Sequence, residues 1–173
     1  SVIIPTYNRK NELGLLLASL SRQTLATGGF EVIVVDDGSR DGTPGWLDEH
    51  KHGFGFPFSW FAQEHRGPGA ARNLGMGKAS GDIFVFIDTD CIPQPDWLQQ
   101  LIKPFASGTV GAAGGREIIN ERDPLLMRCF HYLMTATLTT GGMRGKEGKR
   151  LARFYPRTFN MAISRKAYEA TGG

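Results

Sequence analysis

Asp88 and Asp90 stand one residue apart at the end of a short apolar run, residues 84–87 (FVFI). Two carboxylates that close repel each other unless a cation or a proton is shared between them. Their hard oxygens suit Mg²⁺ or Mn²⁺, whereas zinc prefers His and Cys. A blander reading also fits the pair alone: one aspartate caps the helix beyond Pro93 and the other is solvated. A second acidic pair, Asp36 and Asp37, follows the run 30–35 (FEVIVV). Thr6 and Tyr7 follow the opening run 1–5 (SVIIP), and Arg72 falls within a stretch of small residues, 67–75 (GPGAARNLG). His50, His52, His65 and His131 form no ligand cluster and read as structural or exposed.

The elements that must position these groups come next. Residues 84–87 are too short for a helix, rich in β-formers and bounded by Gly81 and Pro93, which suits a central parallel strand covered on both faces. Runs 1–5, 30–35 and 58–63 read as further strands. Between them Leu13, Leu16, Leu17 and Leu20 recur at helical spacing, with Asn8 or Asn11 as the cap. Gly42 and Thr43 open a second helix to about His50, and residues 66–80 form a third. Strand alternating with helix four times over argues an α/β fold with a doubly wound, mostly parallel sheet. Ligands of such sheets sit off the carboxyl ends of the strands, which is where the acids and Tyr7 fall. Gly67, Gly69, Ala70, Ala71 and Gly75 are expected to let their helix approach the sheet closely, leaving Arg72 to point into the crevice. The glycines are not a dinucleotide fingerprint, which opens directly from the first strand and has Gly where Arg72 stands. Beyond Pro93 we expect a helix over 96–105, a glycine-rich strand or loop over 110–116 and a helix from Asp123. A loop over 141–149, a strand over 159–163 and a helix from Arg165 follow.

A chain of 173 residues with 40% hydrophobic and 21% charged residues fits one soluble globular domain with a proper core. No apolar run approaches the roughly 18–20 residues that a membrane span needs. Cys91 and Cys129 have no metal-ligand spacing and read as core thiols of a reducing compartment. Net charge is unevenly spread: residues 1–100 carry 8 Lys/Arg against 12 Asp/Glu, residues 101–173 carry 12 against 5. The first part looks suited to collecting cations and the second to meeting anions. Arg144, Lys146, Lys149, Arg150, Arg153 and Arg157 against Glu147 form the densest basic stretch, after an apolar segment with Phe130, Tyr132 and Met134. The expected partner there is an anionic lipid headgroup or a phosphate-bearing acceptor.

Four pieces in order, residues 1–9 (SVIIPTYNR), 34–39 (VVDDGS), 67–75 (GPGAARNLG) and 86–90 (FIDTD), closely resemble the nucleotide-sugar-binding region of family-2 glycosyltransferases. The similarity runs through residues 160–165 (NMAISR) and so covers nearly all of the chain. It implies the inverting GT-A, Rossmann-like fold: a mostly parallel sheet sandwiched by helices. It implies that Pro5, Thr6 and Tyr7 line a nucleobase pocket and that Asp37, or its neighbour Asp36, accepts a hydrogen bond from base or ribose. By the same resemblance Arg72 lies by the nucleotide, Asp88 faces ribose and metal, and Asp90 binds the Mn²⁺ or Mg²⁺ that bridges the diphosphate. The implied partners are a nucleotide-sugar donor, UDP-sugar first, and a saccharide or lipid-linked acceptor, with peripheral contact to an anionic membrane and no nucleic acid. The implied setting is polysaccharide and cell-envelope biosynthesis in the cytoplasm, at the inner face of the membrane.

In that family the inverting base lies beyond a segment like residues 167–173. We therefore expect one domain whose residues 1–90 bind the nucleotide and whose residues 91–173 begin the acceptor half, with the base outside the sequence. Glu117, Glu121, Asp123, Glu147 and Glu169 match no such base motif. A non-catalytic nucleotide-sugar-binding scaffold is the alternative. A haloacid-dehalogenase-type phosphotransferase would need Thr where Ile92 stands, and a sugar-nucleotide pyrophosphorylase would open on a glycine-rich loop that residues 4–9 (IPTYNR) lack.

Overall fold

A computed structural model describes residues 1–115 and 159–172, together with Leu125. Nearly all of the described residues belong to one compact unit drawn from both ends of the chain, Ser1–Gly114 with Arg157–Gly173; Gly115 and Leu125 belong to a second, Gly115–Pro156. Four parallel strands lead it: β1 (Val2–Thr6), β2 (Val32–Asp36), β3 (Phe58–Ala62) and β4 (Ile83–Ile87). Two antiparallel strands, β5 (Ala112–Gly114) and β6 (Asn160–Ser164), extend the sheet past β4. The order is β3-β2-β1-β4-β6-β5, a mostly parallel α/β sheet as the sequence predicts.

Strands β1 and β2 are buried along their whole length, which is why both read as continuous apolar runs. Val2, Ile4, Val32, Val34, Val85 and Ile87 share one core with Leu13, Leu16, Leu17 and Leu20 of α1 (Lys10–Leu20), Leu47 of α2 (Thr43–His50), and Leu98 and Leu101 of α4 (Trp97–Ile102). On the other face Ile3, Ile33 and Val35 meet Ala71, Leu74 and Met76 of α3 (Pro68–Lys78). There, too, Phe84 meets the ring of Tyr168, edge on, from α5 (Arg165–Ala170). Helices therefore cover both faces. Cys91 packs half-buried against the first core.

The close approach expected of α3 is made at particular positions. A Cβ on Gly75 would stand 2.5 Å from Ile3 Cγ2, and Ala71 is fully buried. Gly69 has open space, and Gly67 instead supplies a positive φ of 88° at the entry to the helix. Arg165 ties α5 to the α3–β4 turn, donating to the carbonyls of Ala79 and Gly81 at 2.9 and 3.0 Å.

Two boundaries differ from expectation. Neither Asn8 nor Asn11 caps α1; Arg9 holds the cap position without a side-chain bond. The free amide of Lys10 donates instead to Asp41 Oδ2 at 3.0 Å, so a residue of the β2–α2 loop closes the first turn from outside. The expected helix over 96–105 breaks after Ile102 into a 3₁₀ turn containing Pro104. Cys129, His131, the helix from Asp123, the loop over 141–149 and the basic stretch Arg144 to Arg157 lie outside the described residues. Among the described residues no helix is long and apolar enough to cross a membrane.

Candidate functional site

The carboxyl ends of β1, β2 and β4 open into one cleft of ≈ 300 Å³, lined by Pro5, Thr6, Tyr7, Asp37, Arg72, Asp88 and Asp90 and, unassigned from the sequence, by Arg9, His65, Pro68 and Thr89. Parallel register delivers this convergence: Thr6 pairs with Asp36 at the strand ends. Asp36 is the site residue that stays behind the wall. It is 1% exposed, accepts from the Ser39 amide through Oδ2, and keeps Oδ1 without a partner in the chain. Its neighbour turns into the cleft because successive side chains of an extended strand alternate in direction.

Asp37 is 2% exposed and nearly saturated. Its Oδ1 accepts from Gln63 Nε2 at 2.6 Å and from the Arg66 amide at 2.8 Å; its Oδ2 accepts from the Gly67 amide at 2.9 Å and lies 2.8 Å from His65 Nδ1. Burial pushes the carboxyl up, but the Arg66 amide, the Gln63 side chain, the Gly67 amide and the His65 ring outweigh it and hold Asp37 below the usual carboxylate range. One side chain thereby fixes the whole 63–67 loop. His65 also stacks on Tyr7, ring centres 4.1 Å apart. His65, read from the sequence as structural or exposed, is structural and also lines the cleft.

Tyr7 is held from the other side by two stapled loops. The Asn8 amide donates to Ser39 Oγ at 2.8 Å, and Asn8 Oδ1 accepts from the Arg40 amide at 2.7 Å. Asn8 adopts a positive φ of 51° to do so, a conformation Asn tolerates better than most side chains. Tyr7 itself remains 41% exposed, an aromatic surface at the end of the sheet.

At the opposite end each carboxylate of the Asp88/Asp90 pair has its own guanidinium. Arg72 Nη2 donates to Asp88 Oδ1 at 2.6 Å, with the two side chains 13% and 36% exposed. Arg9 Nη1 donates to Asp90 Oδ2 at 3.2 Å, at 47% and 59%. Arg72 Nε is buried without a partner, so this guanidinium has donor capacity left toward the cleft wall. Among the described residues no three His, Cys, Asp or Glu side chains gather as a metal cage. Two hard carboxylates alone fit a cation that keeps several waters and completes its shell with phosphate oxygens, as Mg²⁺ does. Chemically, the cleft offers an aromatic surface and a fixed acid at one end, and two carboxylates with two arginines at the other.

The sequence model for glycosyl transferase family 2 matches residues 1–172. The glycosyltransferase AglE of Haloferax volcanii is 35% identical over 115 residues, 66% of this chain and 38% of that protein. In fold, the chain matches the mannosyltransferase PcManGT of Pyrobaculum calidifontis, solved with GDP-Man and Mn²⁺, at a TM-score of 0.73 and 26% identity over 99% of this chain and 46% of that one. It matches Staphylococcus aureus TarS 1-349 with UDP-GlcNAc at a TM-score of 0.59 and 28% identity, over 71% and 36% of the two chains. The chain thus spans less than half the length of these relatives, and it belongs to glycosyl transferase family 2, with the GT-A fold of its structural neighbours.

Proposed function

From this membership we propose that the protein transfers a sugar from a nucleoside diphosphate donor, UDP-sugar first, to a saccharide or lipid-linked acceptor with inversion. The observation that carries the reading is the order of groups along the cleft: aromatic surface and fixed acid at one end, paired carboxylates and arginines at the other. Tyr7, with Pro5 and Thr6, forms the bed for the nucleobase. Asp37, whose lone pairs its own loop engages, takes the base or ribose in exchange for its contact to the exposed His65 ring. Arg72 keeps Asp88 oriented toward the ribose and the metal. Asp90 and Asp88 hold Mn²⁺ or Mg²⁺, which when bound neutralises the charge developing on the departing diphosphate. Structural neighbours solved with GDP-Man and Mn²⁺ and with UDP-GlcNAc support the donor class.

The acceptor's proton goes to a base other than these acids. Asp37 is occupied by its loop, and Asp88 and Asp90 are each turned to a cation. The peripheral contact with an anionic membrane is carried in this reading by the basic stretch between Arg144 and Arg157. A panel of UDP-, GDP- and dTDP-sugars screened by thermal shift with and without Mn²⁺ tests the donor assignment. A ligand at 100 times its Kd stabilises by about 2.7 kcal/mol. Stabilisation by at least one nucleotide sugar, larger with Mn²⁺, is the expected result; none across the panel would refute it.

A further inference from the structure

The two arginines of the cleft differ in how firmly they hold their acids, and the difference gives Arg9 a role of its own. Arg72 and Asp88 meet at 2.6 Å with the arginine largely buried. Arg9 and Asp90 meet at 3.2 Å with both side chains about half exposed. Exposed pairs of that kind are worth about 0.2–1 kcal/mol, so they open readily. Arg9 and a divalent cation also seek the same thing, the Asp90 carboxylate. Both cannot sit on it at full strength, because two cations sharing one carboxylate repel each other.

Resting on the reading of Asp90 as a metal-binding carboxylate, we propose that Arg9 is an exchangeable counter-ion. It holds Asp90 while the metal is absent, is displaced when the metal arrives, and then binds the diphosphate that the metal brings. The backbone makes this exchange local. Arg9 stands between two anchored residues: Asn8 is pinned to Ser39 and Arg40, and the Lys10 amide is pinned to Asp41. The side chain can therefore turn without moving the loop. Arg9 already lines the cleft that Asp88 and Asp90 line, so the turn keeps its charge within the site. Planar guanidinium groups suit phosphate oxygens as well as they suit carboxylates.

The proposal has a signature of opposite signs. Arg9→Gln removes a competitor of the metal and also a ligand of the diphosphate. Mn²⁺ alone, followed by the electron paramagnetic resonance of the free ion, binds the variant about 2- to 5-fold tighter than the parent. UDP and GDP, titrated calorimetrically at saturating Mn²⁺, bind it about 10- to 100-fold more weakly, the loss of a charge-assisted hydrogen bond. Arg9→Lys, which keeps the charge, restores most of the nucleotide affinity. A residue that merely braced the loop would shift both affinities in the same direction, and that result overturns the proposal. So does equal Mn²⁺ affinity in the variant and the parent, including no uptake by either. Asp90→Asn separates this failure from a failure of the metal assignment. If Asp90→Asn abolishes Mn²⁺ uptake while Arg9→Gln leaves it unchanged, the metal site stands and the exchange falls. If Asp90→Asn changes nothing, the metal assignment itself falls.

Discussion

Asp37 and Asp90 line the same cleft, yet their surroundings have little in common. Asp37 is 2% exposed and takes hydrogen bonds or an ion pair from Gln63, His65, Arg66 and Gly67. The side chain of Asp90 is 59% exposed and meets Arg9 at 3.2 Å and the Cys91 thiol at 3.9 Å. One acid is part of the scaffold, and the other is kept available. Buried acids with full hydrogen-bond shells add rigidity, and removing them leaves unpaired donors behind. Exposed acids contribute little to folding and can change partners at low cost. A cleft with one rigid end and one exchangeable end would, under the proposed function, select a donor at the first and assemble the charge-bearing part at the second.

Mutation separates the two ends. Asp37→Ala leaves the amides of Arg66 and Gly67 without their acceptor and frees the 63–67 loop. We expect a loss of about 2–4 kcal/mol in chemical denaturation. A loss below 0.5 kcal/mol would erase the distinction between the acids. Gly75→Ala probes the support of the other end, since α3 carries Arg72. The added methyl meets Ile3 Cγ2 at 2.5 Å, so the helix must lift; we expect about 1–3 kcal/mol of destabilisation, with weaker nucleoside diphosphate binding. Unchanged stability would mean that α3 does not need the close approach.

Acid titration sharpens the comparison further. Asp37 is held below its ordinary value of 3.8, so its contribution is fully present above that pH and is lost as pH falls through the lower folded value. Asp37→Asn should therefore flatten the fall in Tm between pH 5 and pH 2 relative to the parent. Matching acid limbs for the parent and Asp37→Asn would contradict the assignment.

Much of this was readable in the sequence, for reasons that also mark where reading stops. Strands β1, β2 and β4 are covered on both faces, so burial leaves an unbroken apolar run in each. The acids at their ends were visible because parallel topology sends every carboxyl end to the same side. Helix α5 was readable from Arg165, and Ser164 caps it through the Ala167 amide. What escaped were pairings between distant stretches. Nothing local to Asn8 says that its partners are Ser39 and Arg40, so a side chain that staples two loops looks like an ordinary helix cap. His65 stood apart from every other histidine, and its partners proved to be Tyr7 and Asp37 rather than a metal cluster. Asp36 and Asp37 were interchangeable until alternation along the strand turned one inward and the other to the cleft. Arg9 lay inside the recognised opening motif, but its attachment to Asp90 depends on β1 and β4 being sheet neighbours.

As proposed, Asp90 carries the cation that fixes the diphosphate while contributing almost nothing to the fold. Calorimetric titration of UDP and GDP into the parent and Asp90→Asn, with Mn²⁺ and with chelator, tests it most directly. Metal-dependent binding in the parent and loss of that dependence in Asp90→Asn, at a stability within about 0.5 kcal/mol of the parent, are the expected result. Equal metal-dependent affinity in the two proteins would contradict it.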